Sequence, residues 1–142
     1  MPIIVYKPTS PGRRNSSTDA FSDITKFEPE KSLIQIIKKN SGRNNQGVIT
    51  VRHQGGGAKK YYRLVDFKQV KYGMEAEVKA IEYDPNRGTR IALIQYTDGT
   101  KSYILAPEAL PVGAKVLSSD KAIEAKAGNR MPLRLIPAGL FI

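Results

Sequence analysis

From residue 48 onward the spacing of apolar positions is that of strands, not helices. Val48-Ile49-Thr50-Val51-Arg52 is a short β-branched run, and Tyr61-Tyr62-Arg63-Leu64-Val65-Asp66-Phe67 predicts a second strand after the break at Gly55-Gly56-Gly57. Residues 75–83 alternate and then change phase. Ala76, Val78 and Ala80 share one parity, while Ile81 and Tyr83 share the other. A slip of one residue within a strand is what a β-bulge produces, and bulges curve sheets toward barrels. Asp84-Pro85-Asn86-Arg87-Gly88 predicts a turn. Ile91-Ala92-Leu93-Ile94 is apolar on both parities, as a strand covered on both faces must be. Asp98-Gly99, between residues 91–96 and 101–105, is a strong hairpin signal. Lys115-Val116-Leu117 supplies a further short strand. Six short runs are thus strand candidates, and the predicted fold class is all-β: a small five-stranded antiparallel barrel of OB type, because an open sheet of this size would leave unprotected edges.

The flanks read differently. Residues 7–18 carry Pro8, Pro11 and Gly12 among small polar residues, which predicts an extended arm. Within residues 30–39, Leu33, Ile36 and Ile37 fall at helical spacing behind Pro29, with Lys38 and Lys39 at the negative end of such a helix. The isoleucines equally permit a strand. Beyond Ser118 the chain has no periodic pattern. The expected organisation is a basic arm over 1–45 with a short helix, a barrel over 46–118, and an irregular C-terminal segment over 119–142.

Charge changes this picture from a generic barrel to a binding module. The 142 residues hold 23 Lys and Arg against 13 Asp and Glu, a net charge of +10. Residues 38–71 contain Lys38, Lys39, Arg43, Arg52, Lys59, Lys60, Arg63, Lys68 and Lys71, opposed only by Asp66. Such a segment repels itself unless an anionic partner neutralises it. A membrane surface would call for a basic amphipathic helix, whereas these cations sit among Gly, Asn and His, which is loop chemistry. Nucleic acid is the expected partner. Cysteine is absent, which removes thiolate metal sites and cysteine nucleophiles, and His53 is the only histidine. No apolar run approaches the ~18 residues of a membrane span. No secretory signal is read at the N-terminus. No small-molecule substrate and no cofactor are expected, and the chain is not expected to be an enzyme.

Two loops concentrate the candidate chemistry. Ser41-Gly42-Arg43-Asn44-Asn45-Gln46-Gly47 combines glycines that let backbone approach a phosphate, an arginine fork, and amides suited to bases or sugars. Arg52-His53-Gln54-Gly55-Gly56-Gly57-Ala58-Lys59-Lys60 follows. Three successive glycines carry an entropic cost that folding alone does not explain. Neither loop matches a nucleotide-hydrolase pattern: Gly42 and Gly47 have the spacing, but Val48 stands where Lys is required. Tyr61 and Tyr62, beside Lys59 and Lys60, are candidate stacking groups or core residues.

Ordered motifs then converge on one family. They are Lys7-Pro8-Thr9-Ser10-Pro11-Gly12-Arg13-Arg14, Gly42-Arg43-Asn44-Asn45 with Gly47, and Arg52-His53 with Gly55-Gly56-Gly57 and Lys59. Tyr62-Arg63 with Val65-Asp66-Phe67, Ile81-Glu82-Tyr83-Asp84-Pro85-Asn86-Arg87 and Tyr103-Ile104-Leu105-Ala106-Pro107 follow in order. Gly128-Asn129 with Pro132-Leu133, and Ile136-Pro137 with Gly139, complete the series. Over residues 1–139, most weakly across 15–38, the chain resembles the N-terminal half of bacterial-type large-subunit ribosomal protein two. The resemblance implies an OB barrel that binds large-subunit ribosomal RNA, supporting subunit association and the peptidyl-transferase region without performing the chemistry. It implies a location on ribosomes, cytoplasmic or organellar, among other ribosomal proteins. A single-strand nucleic-acid-binding OB module of a translation factor is the alternative.

The expected RNA contacts are Lys7, Arg13, Arg14, Lys38, Lys39, Arg43, Asn44, Asn45, Arg52, His53, Gly55, Gly56, Gly57, Lys59, Lys60, Arg63, Lys68 and Arg87. Two departures from the family stand out. Ala58 occupies a position where the family usually has histidine. The sequence stops at Ile142, whereas the family continues into a second small barrel and a basic tail. A separate C-terminal half is therefore an expected partner, and no residue here takes over the histidine loop that the second half carries.

Overall fold

The computed structural model describes residues 3–140. The first two residues of the expected arm and the last two of the expected tail lie outside the described residues. The fold is all-β and antiparallel. β5 (Glu75–Asp84), β6 (Thr89–Tyr96), β7 (Lys101–Leu105) and β8 (Lys115–Leu117) form one sheet in the order β7-β6-β5-β8. Earlier in the chain, β1 (Ile3–Val5) pairs with β2 (Ser17–Asp19), and β3 (Ile34–Ile36) pairs with β4 (Tyr61–Arg63). The β4 segment reaches the main sheet through a parallel bridge between Val65 and Tyr103 and through the Asp66 amide, which donates to the Tyr103 carbonyl at 2.8 Å. The strands curl into an OB-like arrangement without closing into a continuous barrel.

The phase change in residues 75–83 is a bulge. Ala76 pairs with Tyr96 and Val78 with Ile94, but Ala80 pairs with Leu93, so Lys79 is the extra residue. The slip sends Ala76 and Val78 to one core cluster and Ala80 to the other. β6 divides in the same way. Ala92, Ile94 and Tyr96 pack with Ile104, Leu110 and Val116, while Ile91 and Leu93 pack with Tyr103, Leu33 and Val65. Full burial of each large aliphatic side chain here contributes about 1.5–3 kcal/mol. At the base of the second cluster, Tyr103 donates its hydroxyl to Glu82 Oε2 at 2.7 Å and accepts the Glu30 amide at 2.8 Å. Burial raises the Glu82 carboxyl above its ordinary range, even though Tyr103 and Lys26 oppose the shift.

Three local expectations give way. The helix expected over 30–39 is a 3-10 turn at Lys31–Leu33 followed by strand β3. Ile34 and Ile36 are β-branched and find a partner, pairing with Arg63 and Tyr61. Val48–Arg52 is not a strand. Its single ladder contact is an isolated bridge between Ile49 and Arg43, and Val48, Ile49 and Val51 stay exposed. β-Branched residues favour a strand when a neighbouring strand packs against them, and none does here. The irregular arm expected over 7–18 ends early, since Ser17 and Thr18 pair with Val5 and Ile4.

The arm is also attached to the sheet. Arg90, on β6, donates to Asp19 at 2.5 Å and to Asp23 at 2.8 Å, with its guanidinium 5.0 Å from the Phe21 ring and 5.7 Å from the Tyr83 ring. Beyond β8 the chain has no strand up to residue 140. Gly128 packs so closely that a Cβ would meet Val116 Cγ1 at 2.6 Å, which brings this segment against the first cluster.

Candidate nucleic-acid interface

β3 and β4 form a two-stranded ribbon, and residues 37–60 are the long connection at its tip. A connection of this length without strands or helices of its own is uncommon in a compact domain and usually functional. It holds its shape through a few local contacts. The Gly42 carbonyl accepts the amides of Thr50 at 2.9 Å and Val51 at 3.1 Å. Asn44 Oδ1 accepts the amides of Gln46 and Val48, both at 3.0 Å. Gly42 has φ +72°, and a Cβ there would overlap the Val51 carbonyl oxygen. Gly55 lies against Ser41, where a Cβ would sit 3.0 Å from the serine Cβ. The two glycine-rich segments read separately in the sequence are therefore one folded lobe.

The lobe leaves its cations without a carboxylate partner. Lys38, Lys39, Arg43, Arg52, Lys59 and Lys60 are exposed, and among the described residues no carboxylate lies within ion-pair distance of any of them. Asn45 and His53 are exposed beside them. Gly55, Gly56 and Gly57 have φ of +108°, +72° and +76°, and among the described residues their amides donate to no protein acceptor. Exposed amides in left-handed backbone next to cations form a ready anion site. Lys68 is exposed in the following loop. Asp66 Oδ1 accepts its amide at 3.0 Å, and Arg130 donates to its carbonyl. Lys7, Arg13 and Arg14 are exposed on the β1–β2 connection, where Arg13 stacks 4.7 Å from the Tyr6 ring.

Two expected contacts are placed otherwise, and two are shared, Asn44 and Lys60, the Lys60 ammonium donating to the Pro85 carbonyl at 3.1 Å. Arg63 is 6% exposed, points into the protein and donates to the Tyr61 carbonyl at 2.6 Å. Arg87 is partly buried and donates to Asp84 Oδ2 at 2.6 Å, to the Tyr62 hydroxyl at 2.6 Å and to the Arg63 carbonyl at 3.3 Å. Burial alone would raise the Asp84 carboxyl, but hydrogen bonds from Arg87 and the Asn86 amide hold it below its ordinary range. Asn44 uses its carbonyl oxygen internally. Tyr62 lies under the Arg87 guanidinium at 4.7 Å, so its ring is engaged, whereas Tyr61 keeps an exposed face. Lys71 is also committed, bonding Asp98 Oδ2 at 2.6 Å and capping the Tyr96 ring at 4.7 Å.

Comparison with known families decides what this lobe belongs to. The family described as Ribosomal Proteins L2, RNA binding N-terminal domain, matches residues 30–118, more than half of the chain. The chain belongs to the ribosomal L2 family. The match takes in the β3–β4 ribbon, the basic lobe and the curled sheet from β5 to β8. This L2-family chain is thus a ribosomal, RNA-binding protein of the translation apparatus, and its family is one of RNA binders rather than enzymes. Among the described residues, no helix is long and apolar enough to cross a membrane, and no cluster of three His, Asp or Glu side chains could hold a metal ion.

Proposed function

We propose that this protein is a structural constituent of the ribosome that grips large-subunit ribosomal RNA with the tip of the β3–β4 ribbon. The observation that carries the proposal is the lobe's set of unpaired cations around three free glycine amides. Arg43 and Arg52 can each fork two phosphate oxygens, while Lys38, Lys39, Lys59 and Lys60 act as point charges. The amides of Gly55–Gly57 suit a phosphate oxygen at close range, because no side chain holds the RNA away. Asn45 and His53 are placed to bond sugars or base edges. Lys7, Arg13 and Arg14 on the arm, with Lys68, extend the contact.

The role is architectural. The lobe offers charge and hydrogen-bond donors but no nucleophile beside a base, so it can order RNA without reacting with it. On the ribosome this amounts to supporting the peptidyl-transferase region and subunit association, in the cytoplasm or in an organelle. Its partners there are other ribosomal proteins and the family's second barrel, whether joined on the same polypeptide or separate. Fractionation of ribosomes followed by mass spectrometry tests the proposal. The protein should sediment with large subunits and remain there through a moderate salt wash. Recovery only from the free pool would instead support a cycling single-strand binder of the translation-factor kind.

A further inference from the structure

We propose that the β5–β6 turn is a clamp on the foot of the basic lobe, and that Arg87 is its positioning residue rather than a phosphate contact. The turn, residues 84–88, lies far from the lobe in sequence, yet it bonds every residue from Lys60 to Arg63. Lys60 Nζ donates to the Pro85 carbonyl at 3.1 Å. Asn86 Nδ2 donates to the Tyr61 carbonyl at 2.7 Å. Arg87 donates to the Tyr62 hydroxyl at 2.6 Å and to the Arg63 carbonyl at 3.3 Å. Residues 61–63 are β4, the strand that carries the chain out of the lobe and pairs with β3 on the way in. The lobe hangs from this ribbon, so whatever fixes β4 fixes where the lobe's cations are presented.

Arg87 is built for this task. Its guanidinium lies 4.7 Å from the Tyr62 ring and 5.5 Å from the Phe67 ring, so it touches β4 and the segment after it at once. Its charge is met from within by Asp84, whose side chain is fully buried. Asp84 in turn accepts the Asn86 amide at 2.9 Å, which shapes the turn that aims Asn86 at Tyr61. Asp84, Tyr62 and the Arg63 carbonyl take three of the fork's five donors, and the side chain held between them keeps only 21% of its surface exposed. A lysine could keep the charge but could not reach three acceptors on a rigid plane.

The consequence for binding rests on the RNA-binding role proposed above, whereas the clamp itself can be read without RNA. The experiment therefore has two arms, run on wild type, Arg87→Lys, Arg87→Ala and Tyr62→Phe. Tyr62→Phe keeps the ring and the Arg87–Asp84 pair and removes only the hydroxyl, so it tests the clamp with the barrel intact. In the first arm, amide exchange is followed without RNA. Arg87→Lys should speed exchange in the β3–β4 ribbon about tenfold or more, the scale of losing hydrogen bonds to a charged group. Tyr62→Phe should act in the same direction and less. In the second arm, a large-subunit ribosomal RNA transcript is titrated at several salt concentrations. Both Arg87 variants should bind more weakly with the log–log salt slope unchanged. Wild-type exchange in Arg87→Lys, or a slope shallower by about 0.9 in Arg87→Ala, the mark of one lost phosphate contact, would overturn the clamp. Failure of wild type to bind the transcript would overturn the RNA-binding role, and the exchange arm would still decide the clamp.

Discussion

Gly42→Ala, set against Gly56→Ala, separates the lobe's fold from the barrel's. Both glycines have φ +72°, so an alanine at either position meets the same intrinsic penalty of about 1–2 kcal/mol for left-handed backbone. Their surroundings differ. A Cβ at Gly56 has nothing within 4 Å, whereas at Gly42 it would run into the Val51 carbonyl oxygen, inside the 3.0 Å that real Cβ contacts keep. Backbone cannot swing away as a flexible side chain can. Relief requires parting the two loop segments, which breaks the bonds from the Thr50 and Val51 amides to the Gly42 carbonyl. At about 0.5–1.5 kcal/mol each, their loss adds roughly 1–3 kcal/mol to the strain. That cost falls on the lobe alone, because no core residue lies within it. The assay is residue-resolved amide exchange together with a thermal melt. In Gly42→Ala the Thr50 and Val51 amides should exchange as fast as an unstructured loop, RNA affinity should fall, and the barrel's melting temperature should stay within a few degrees. Gly56→Ala should leave those two amides near their wild-type rates. Equal exchange in the two variants would refute the close packing of the glycine segments, and a large drop in melting temperature for Gly42→Ala would refute the independence of the lobe.

Two further substitutions probe the barrel. Leu93→Ala removes a side chain from the cluster of Ala80, Ile91 and Tyr103 and should cost about 2–5 kcal/mol in a denaturant titration; a loss under about 1 kcal/mol would place Leu93 outside a packed core. Asp98 is held down to about 2 by its hydrogen bond with Lys71 and then by Thr100, so its folded value lies below the unfolded 3.8. Its stabilisation is therefore present above 3.8 and lost as pH falls toward 2. Asp98→Asn should be less stable than wild type at neutral pH, with the difference shrinking steadily as pH falls from 3.8 through about 2. A gap of the same size at pH 2 as at neutral pH would contradict the ion-pair origin.

What the sequence disclosed follows the range of the interactions. The bulge was legible because Lys79 shifts the apolar parity of its own strand, and the β6–β7 turn because Asp98-Gly99 carries its own chemistry: Asp98 Oδ1 accepts the Thr100 amide and Gly99 has φ +82°. The two-sided burial of β6 was legible because all four residues of Ile91–Ile94 are apolar. What escaped was set by partners far along the chain. β3 is a strand because Tyr61–Arg63 lies beside it, and Val48–Arg52 is not one because nothing does. Arg90 joins the arm to β6 through Asp19 and Asp23, a link that no local pattern announces. Within the candidate interface, residues 38–60 were legible as a basic glycine-rich segment, since unopposed charge can be counted in sequence. Arg63 and Arg87 were not separable from their neighbours, because an arginine turned inward toward a buried carboxylate or a strand carbonyl looks the same in sequence as one turned toward RNA.

The central claim is that the unpaired cations of the β3–β4 lobe bind RNA by neutralising phosphates. Its most direct test is the salt dependence of RNA affinity for wild type beside Arg43→Glu with Lys59→Glu, two exposed lobe positions outside the clamp. Neutralisation of about six phosphates gives wild type a log–log slope near −5 and a loss of roughly three decades in affinity between 50 and 200 mM salt. The double variant should bind far more weakly, with a visibly shallower slope and an unchanged melting temperature. A flat wild-type response, or a variant that binds with the wild-type slope, would contradict the claim.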